Sequence, residues 1–151
     1  MHMLRKESLT EIMIVEHGKI YDSFAKFRFD SEKDIKRAFR FLNFFKRQEI
    51  EHIKIENKLF KAKLAPLEIT RILLKQHDKI KALIMMVYKD VYNRIDSTEN
   101  AEILQEFLKA HLRLEEKMFY PKLDKKLNNS EIEKLRKEIS RRMSKIRKAF
   151  F

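Results

Sequence analysis

Apolar residues recur along this chain at three- and four-residue steps, broken only at a few short polar clusters. In the first stretch Leu9, Ile12, Met13, Ile20, Phe24 and Phe27 fall on one helical face. Ser8-Leu-Thr-Glu11 has capping-box spacing, so a helix is predicted over about 8–29. Ser31-Glu-Lys-Asp34 opens a second helix, reaching to about residue 65, with Phe41, Leu42, Phe45, His52, Leu59 and Phe60 on its inner side. Pro66 suits the first turn of a third helix, where a missing N–H costs little, and that helix runs to about residue 95. The polar segment Asp96-Ser-Thr-Glu-Asn100 is the clearest loop, and Ser97 or Thr98 can cap a fourth helix running to about residue 127. Pro121 lies inside that span and predicts a kink or break. After the turn Asn128-Asn-Ser130, Ser130 and Glu133 have the spacing to cap a last helix over about 131–149. Ile132, Leu135, Ile139, Met143, Ile146 and Phe150 form its apolar stripe.

Four helices with short connections predict an all-α fold, an up-down-up-down four-helix bundle over about 8–127, with an additional C-terminal amphipathic helix. Composition agrees. One glycine and two prolines leave few turns, and 44% apolar with 38% charged residues excludes a disordered chain. At 151 residues the chain is long enough for one sizeable core, and no linker divides it, so 1–151 is read as one domain.

The absence of cysteine excludes disulfides, thiolate chemistry and iron–sulfur ligation by these residues. The N-terminus lacks the apolar region of a signal peptide. The longest apolar run, residues 82–88, is far too short for a membrane span. A soluble cytoplasmic protein is expected. The net charge of +12 favours acidic partners. Nucleic acid is not expected on that ground alone, because lysine-rich helical surfaces are common. Residues 131–151 carry eight Lys or Arg against three Glu. Their apolar stripe is expected to pack on the bundle as a fifth helix; otherwise it supports a homodimer, an acidic protein partner or an anionic surface.

Histidine changes the picture most. His17 precedes His52 by 35 residues and His77 precedes His111 by 34, about one helix and turn each. The second histidine of each pair opens the same pattern, His-x3-Glu-x2-apolar-Phe: His52 to Phe60 with Glu56, and His111 to Phe119 with Glu115. Residues four apart share a helix face, so each pattern aims an imidazole and a carboxylate at one point. The two halves of the bundle then read as a duplication. Burying four imidazoles and two carboxylates without partners costs several kcal/mol for each charged group. Metal ions offset that cost. Six ligands exceed one tetrahedral zinc site, and two glutamates can bridge two ions with the histidines terminal. Mixed imidazole and carboxylate donors suit iron, with zinc or manganese as alternatives. The Glu-x-x-His spacing of ferritin-like sites occurs at Glu49 and His52, but Leu108 stands three residues before His111 and Leu74 before His77, so that reading fails.

His17, His52-x3-Glu56-x2-Leu59-Phe60, His77 and His111-x3-Glu115-Glu116-x2-Phe119-Tyr120-Pro121 together resemble the hemerythrin-like, or HHE, cation-binding domain. The resemblance covers about residues 8–127 and includes Glu16-His17 and Gln76-His77-Asp78. It implies a four-helix bundle around two iron ions bridged by oxo or hydroxo. His17, His52, His77 and His111 would be terminal ligands, and Glu56 and Glu115 would bridge. Oxygen-carrying members have a fifth histidine where this chain has Lys81, and an aspartate where it has Glu116. Glu115 is favoured over Glu116 as ligand, because a four-residue step stays nearer one face. The chain thus resembles the four-histidine, two-glutamate members.

Three further residues fall near the inferred site. Tyr21, one turn after His17, is a candidate ligand or hydrogen-bond donor, or a core tyrosine. Lys81 is a candidate to hold an anion or pair with a glutamate, or a surface lysine. Gly18 can open space beside His17 or permit close helix packing. The resemblance implies a non-haem di-iron protein that binds or reacts with O2, peroxide or nitric oxide. The alternatives are an iron- or oxygen-sensing module read out through the basic C-terminal helix, and a metal-free basic protein that binds nucleic acid.

Overall fold

In a computed structural model, residues 7–61 and 68–151 are described, and every regular element among them is helical. The elements are α1 (Leu9–Asp30), α2 (Ile35–Leu59), α3 (Glu68–Tyr92), α4 (Thr98–Leu114), a π-helical turn (Glu115–Phe119), α5 (Tyr120–Lys126) and α6 (Asn129–Phe150). The expected start at Pro66 lies outside the described residues. No described helix is long and apolar enough to cross a membrane.

Two apolar clusters show how the helices run. The early residues of α1 (Leu9, Ile12, Met13) join one cluster with the end of α2 (Ile55, Leu59), Leu73 of α3, and Phe119 and Leu123. The late residues of α1 (Ile20, Phe24, Phe27) join the other with the start of α2, the end of α3 and most of α4 (Leu104, Leu108, Leu112). Direction therefore alternates along the chain, giving the up-down-up-down bundle. Between the clusters each rod contributes its histidine.

Helix ends follow local capping, with four departures from expectation. Ser8 Oγ accepts from the Glu11 N–H, as the spacing predicts; the second helix starts at Ile35 rather than at Ser31, which closes α1, and Asp34 caps it by accepting from the Arg37 N–H. The last helix starts two residues before the predicted 131. Asn128 and Glu131 form the reciprocal capping box there, rather than Ser130 and Glu133. The third helix ends at Tyr92 instead of about 95, because Arg94 adopts φ 57° and the Ile95 N–H turns back to the Asp90 carbonyl at 2.7 Å. Ser97 precedes α4 without a side-chain cap; Asp96 accepts from the Thr98 N–H at 3.0 Å instead. At the expected break before Pro121 the fourth rod widens into the π-helical turn and resumes as α5.

The C-terminal helix packs on the bundle. Ile132, Ile139 and Ile146 are buried, and Leu135, Met143 and Phe150 are packed against the two clusters. Arg142 ties α6 to α2 by pairing with Glu51 as well as Glu138 at 2.9 Å. Asp124 of α5 accepts from the Leu9 N–H (2.6 Å), the Thr10 N–H (3.2 Å) and the Thr10 hydroxyl (2.6 Å). It serves as a remote cap for α1 and fixes α5 beside His17. Gly18 is exposed, and a Cβ there would meet nothing within 4 Å. It therefore neither opens a space beside His17 nor permits a close helix approach.

Candidate metal centre

The polar layer between the two clusters holds the six predicted residues at one place. His17, His52, Glu56, His77, His111 and Glu115 are each at most 3% exposed. Their donor atoms form two groups that share Glu115. Glu56, His77, His111 and Glu115 make one, and His17, His52 and Glu115 the other, with donor atoms within 4.8 Å inside each group. His111 Nε2 lies 3.2 Å from Glu115 Oε2, and His77 Nε2 lies 3.4 Å from Glu56 Oε1 and 3.6 Å from Glu115 Oε2. His52 Nε2 is 3.3 Å from Glu56 Oε1, and His17 Nε2 is 3.4 Å from Glu115 Oε1.

The rings are aimed by contacts on their far sides. His77 Nδ1 lies 2.9 Å from Asn57 Oδ1, His111 Nδ1 2.7 Å from Gln76 Oε1, and His17 Nδ1 2.9 Å from Glu116 Oε2. All three partners are acceptors, so each Nδ1 donates its proton outward and each Nε2 turns a bare lone pair inward. Phe60 stacks on His77 with ring centroids 5.4 Å apart and seals that flank.

The electrostatics match a cation-binding shell. Burial pushes His52 down to about 3, against the pull of Glu56, so this imidazole stays neutral at any ordinary pH. Burial also lowers His111. For His77 burial acts downward, but the adjacent Glu115 and Glu56 outweigh it and hold the ring above its ordinary value. Burial drives Glu115 well above the carboxylate range, with Glu56 adding to the effect. Burial also acts upward on Glu56, but the adjacent His52, Glu115 and His77 outweigh it and hold this carboxyl well below its ordinary value. In the bare protein, then, one carboxylate of the pair keeps a proton because nothing else neutralises it.

The fit to metal rests on the unpartnered atoms. Glu56 Oε1, Glu115 Oε2, His77 Nε2 and His111 Nε2 are all buried, and none has a hydrogen-bond partner. His17 Nε2 and His52 Nε2 face each other at 3.1 Å. Converging lone pairs in a sealed core are unfavourable unless a cation lies among them. The carboxylate and imidazole donors suit a transition metal such as iron, manganese or zinc.

Of the other sequence candidates, Glu116 stands behind His17 rather than among the converging atoms. Tyr21 is half-buried, packs against the phenylalanine-rich cluster and has Lys109 5.9 Å from its ring centre. Lys81 is half-buried and, among the described residues, pairs with neither glutamate. The tyrosine that reaches the cluster is Tyr120. Its hydroxyl lies 2.7 Å from Glu56 Oε2, 3.0 Å from His17 Nε2, and 3.3 Å from both His52 Nε2 and Glu115 Oε1. Burial, then Glu115 and Glu56, drive its phenol well above the usual tyrosine value. Glu49, three residues before His52, is also buried. Neither of its oxygens has a partner, and burial raises it to about 7 against the pull of His111. Asn57, Gln76 and Tyr120 were not singled out as site residues from the sequence. Gln76 and Tyr120 carried a signal as neighbours of His77 and Pro121 in the motifs of the family resemblance, and Asn57 carried none.

No curated protein and no solved structure matches the chain. The family described as hemerythrin HHE cation-binding domain matches residues 8–123 and again residues 68–149. With the matched residues spanning the bundle and its histidine–glutamate layer, the chain belongs to the hemerythrin HHE cation-binding domain family.

Proposed function

We propose that the chain is a non-haem di-iron protein whose centre binds or reacts with O2, peroxide or nitric oxide. The observation that carries this reading is the pair of donor groups hinged on Glu115, each built from two inward-aimed imidazoles and carboxylate. His77, His111, Glu56 and Glu115 would hold one ion, and His17, His52 and Glu115 the other. When bound, two irons supply a redox pair able to exchange electrons with a small oxidant. The chain's own part is preorganisation. Glu116, Asn57 and Gln76 hold three rings in one tautomer, so little rearrangement accompanies binding. The flanking apolar clusters keep bulk water from the layer. Lys81 offers no fifth imidazole, and that leaves the His77–His111 ion with one protein donor fewer than the oxygen-carrying pattern.

Metal analysis of protein purified under air, together with its absorption spectrum, tests the reading. Two irons per chain with near-ultraviolet ligand-to-iron bands are expected. One zinc, or no metal, rejects it.

A sensing role is the second reading. It is favoured by α6, whose stripe lies across both apolar clusters that sandwich the layer. Loss of metal from a sensor should raise amide exchange in α6. A protein that only reacts with its oxidant should leave α6 equally protected with and without metal.

A further inference from the structure

The two donor groups are unequal: among the described residues four His or Glu side chains converge at His77 and His111, and three at His17 and His52. The phenol of Tyr120 fills that gap. Its oxygen touches four atoms: Glu56 Oε2 and His17 Nε2, whose Nδ1 donates to Glu116, are lone-pair acceptors, as is Glu115 Oε1 when ionised, while His52 Nε2 accepts or donates with its tautomer. One hydroxyl proton can satisfy one of them. With that proton on Glu56, the phenol's own lone pairs face His17 Nε2 at 3.0 Å and, when it is ionised, Glu115 Oε1 at 3.3 Å, all in the buried core. A simple hydrogen bond to Glu56 leaves those contacts unfavourable. A shared cation resolves all of them, since neighbouring ligands on bonds of about 2.1 Å lie ~3 Å apart.

We propose that Tyr120 is a ligand of the ion held by His17 and His52, bound through its phenolate oxygen. The O–H bond is replaced by an oxygen–metal bond, and the proton leaves to solvent as the metal enters. A hard anionic oxygen on this ion favours the ferric state there and makes the two positions chemically distinct. The π-helical turn is the device that permits it. The Tyr120 N–H bonds the Glu115 carbonyl five residues back, so Tyr120 completes one wide turn and faces the cluster as Glu115 does. In an unbroken α-helix a five-residue step would rotate it about 140° away.

This inference rests on the di-iron reading, and the experiment separates the two. The full chain is loaded with iron in air, its iron content is measured, and its visible spectrum is recorded. Tyrosinate bound to ferric iron gives a visible charge-transfer band, and excitation in that band enhances tyrosine ring modes in the Raman spectrum. Ring-deuterated tyrosine should shift those modes. Tyr120→Phe should abolish the band while both irons remain, and Tyr21→Phe should leave it unchanged. An iron-loaded wild-type protein with neither band nor tyrosine modes overturns the role of Tyr120 and leaves the di-iron reading standing. A band that survives Tyr120→Phe also overturns it. If Tyr120→Phe does not fold, the label-sensitive Raman modes of the wild-type protein decide. A chain that takes up no iron overturns both.

Discussion

Glu49 offers a measurable consequence of building a metal layer into an apolar core. Its carboxyl is 1% exposed, and neither oxygen has a hydrogen-bond partner. Burial is the largest influence on it and raises it from 4.5 to about 7, with His111 opposing and Glu56 adding to the rise. In the metal-free protein the folded state therefore keeps a proton that the unfolded chain releases. Between those two values the native state binds more protons, so stability is full below about 4.5 and declines as pH rises through about 7. The interval corresponds to roughly 3 kcal/mol. Glu49→Gln removes the titration while keeping the shape of the protonated acid. Urea unfolding of EDTA-treated wild-type and variant proteins at pH 5, 6.5 and 8 isolates the effect. Histidine titrations largely cancel in the difference at each pH. The variant should gain on the wild type by about 2–3 kcal/mol between pH 5 and pH 8. A wild-type-to-variant difference that does not change with pH would falsify the assignment of a buried, unpaired acid at this position.

Three further outcomes are expected. Glu115→Gln, which removes the carboxylate shared by both donor groups, should abolish stoichiometric metal uptake, whereas Gln76→Ala, which frees the back of His111, should weaken it by roughly 10–100-fold; chelator competition reads both, and full uptake by Glu115→Gln would refute the shared role. Gly18→Ala should stabilise the fold by about 1 kcal/mol in denaturant unfolding, since the added methyl meets nothing within 4 Å; a loss of stability would mean that α1 needs the glycine. Asp124→Ala should cost about 1–2 kcal/mol and raise amide exchange at Leu9 and Thr10; unchanged protection there would show that those amides do not depend on this carboxylate.

Most of the fold was legible because it follows from short-range rules. Helical periodicity and the cap at Ser8 located α1, the segment 31–34 put the start of α2 within about one turn, and the scarcity of glycine and proline left nothing else for the chain to build. The misplaced ends have local causes. Asn128 and Ser130 both offer capping side chains three residues before a glutamate, and spacing cannot rank them. Arg94 ends α3 in a left-handed conformation for which glycine is the usual sequence signal, and the residue there gives none. The fate of the α6 stripe was also open. An amphipathic face specifies that something covers it, and only the folded bundle supplies the surface that does.

The layer itself divides along the same line. His52 with Glu56 and His111 with Glu115 could be paired because each motif keeps within one helical turn, where sequence distance and spatial distance agree, and His17 and His77 followed from the nearly equal gaps that separate them from those motifs. The groups that finish the layer break that agreement. Gln76 and Asn57 act on histidines of other helices, at His111 and His77, so no spacing within one helix reveals them. Tyr120 is a stronger case. Nine residues beyond His111 it belongs on the opposite side of an α-helix, and a reading by periodicity assigns it there. The turn from Glu115 to Phe119 absorbs the mismatch. Pro121 has no N–H to continue the regular hydrogen-bond ladder, so the ladder is weakest where the wide turn forms. The same residue that marks the chain for a kink thereby rotates a phenol into a cluster of imidazoles and carboxylates. A proline immediately after an aromatic residue and a few positions beyond a His-x3-Glu motif is accordingly a signal to test the aromatic residue for contact with the metal layer.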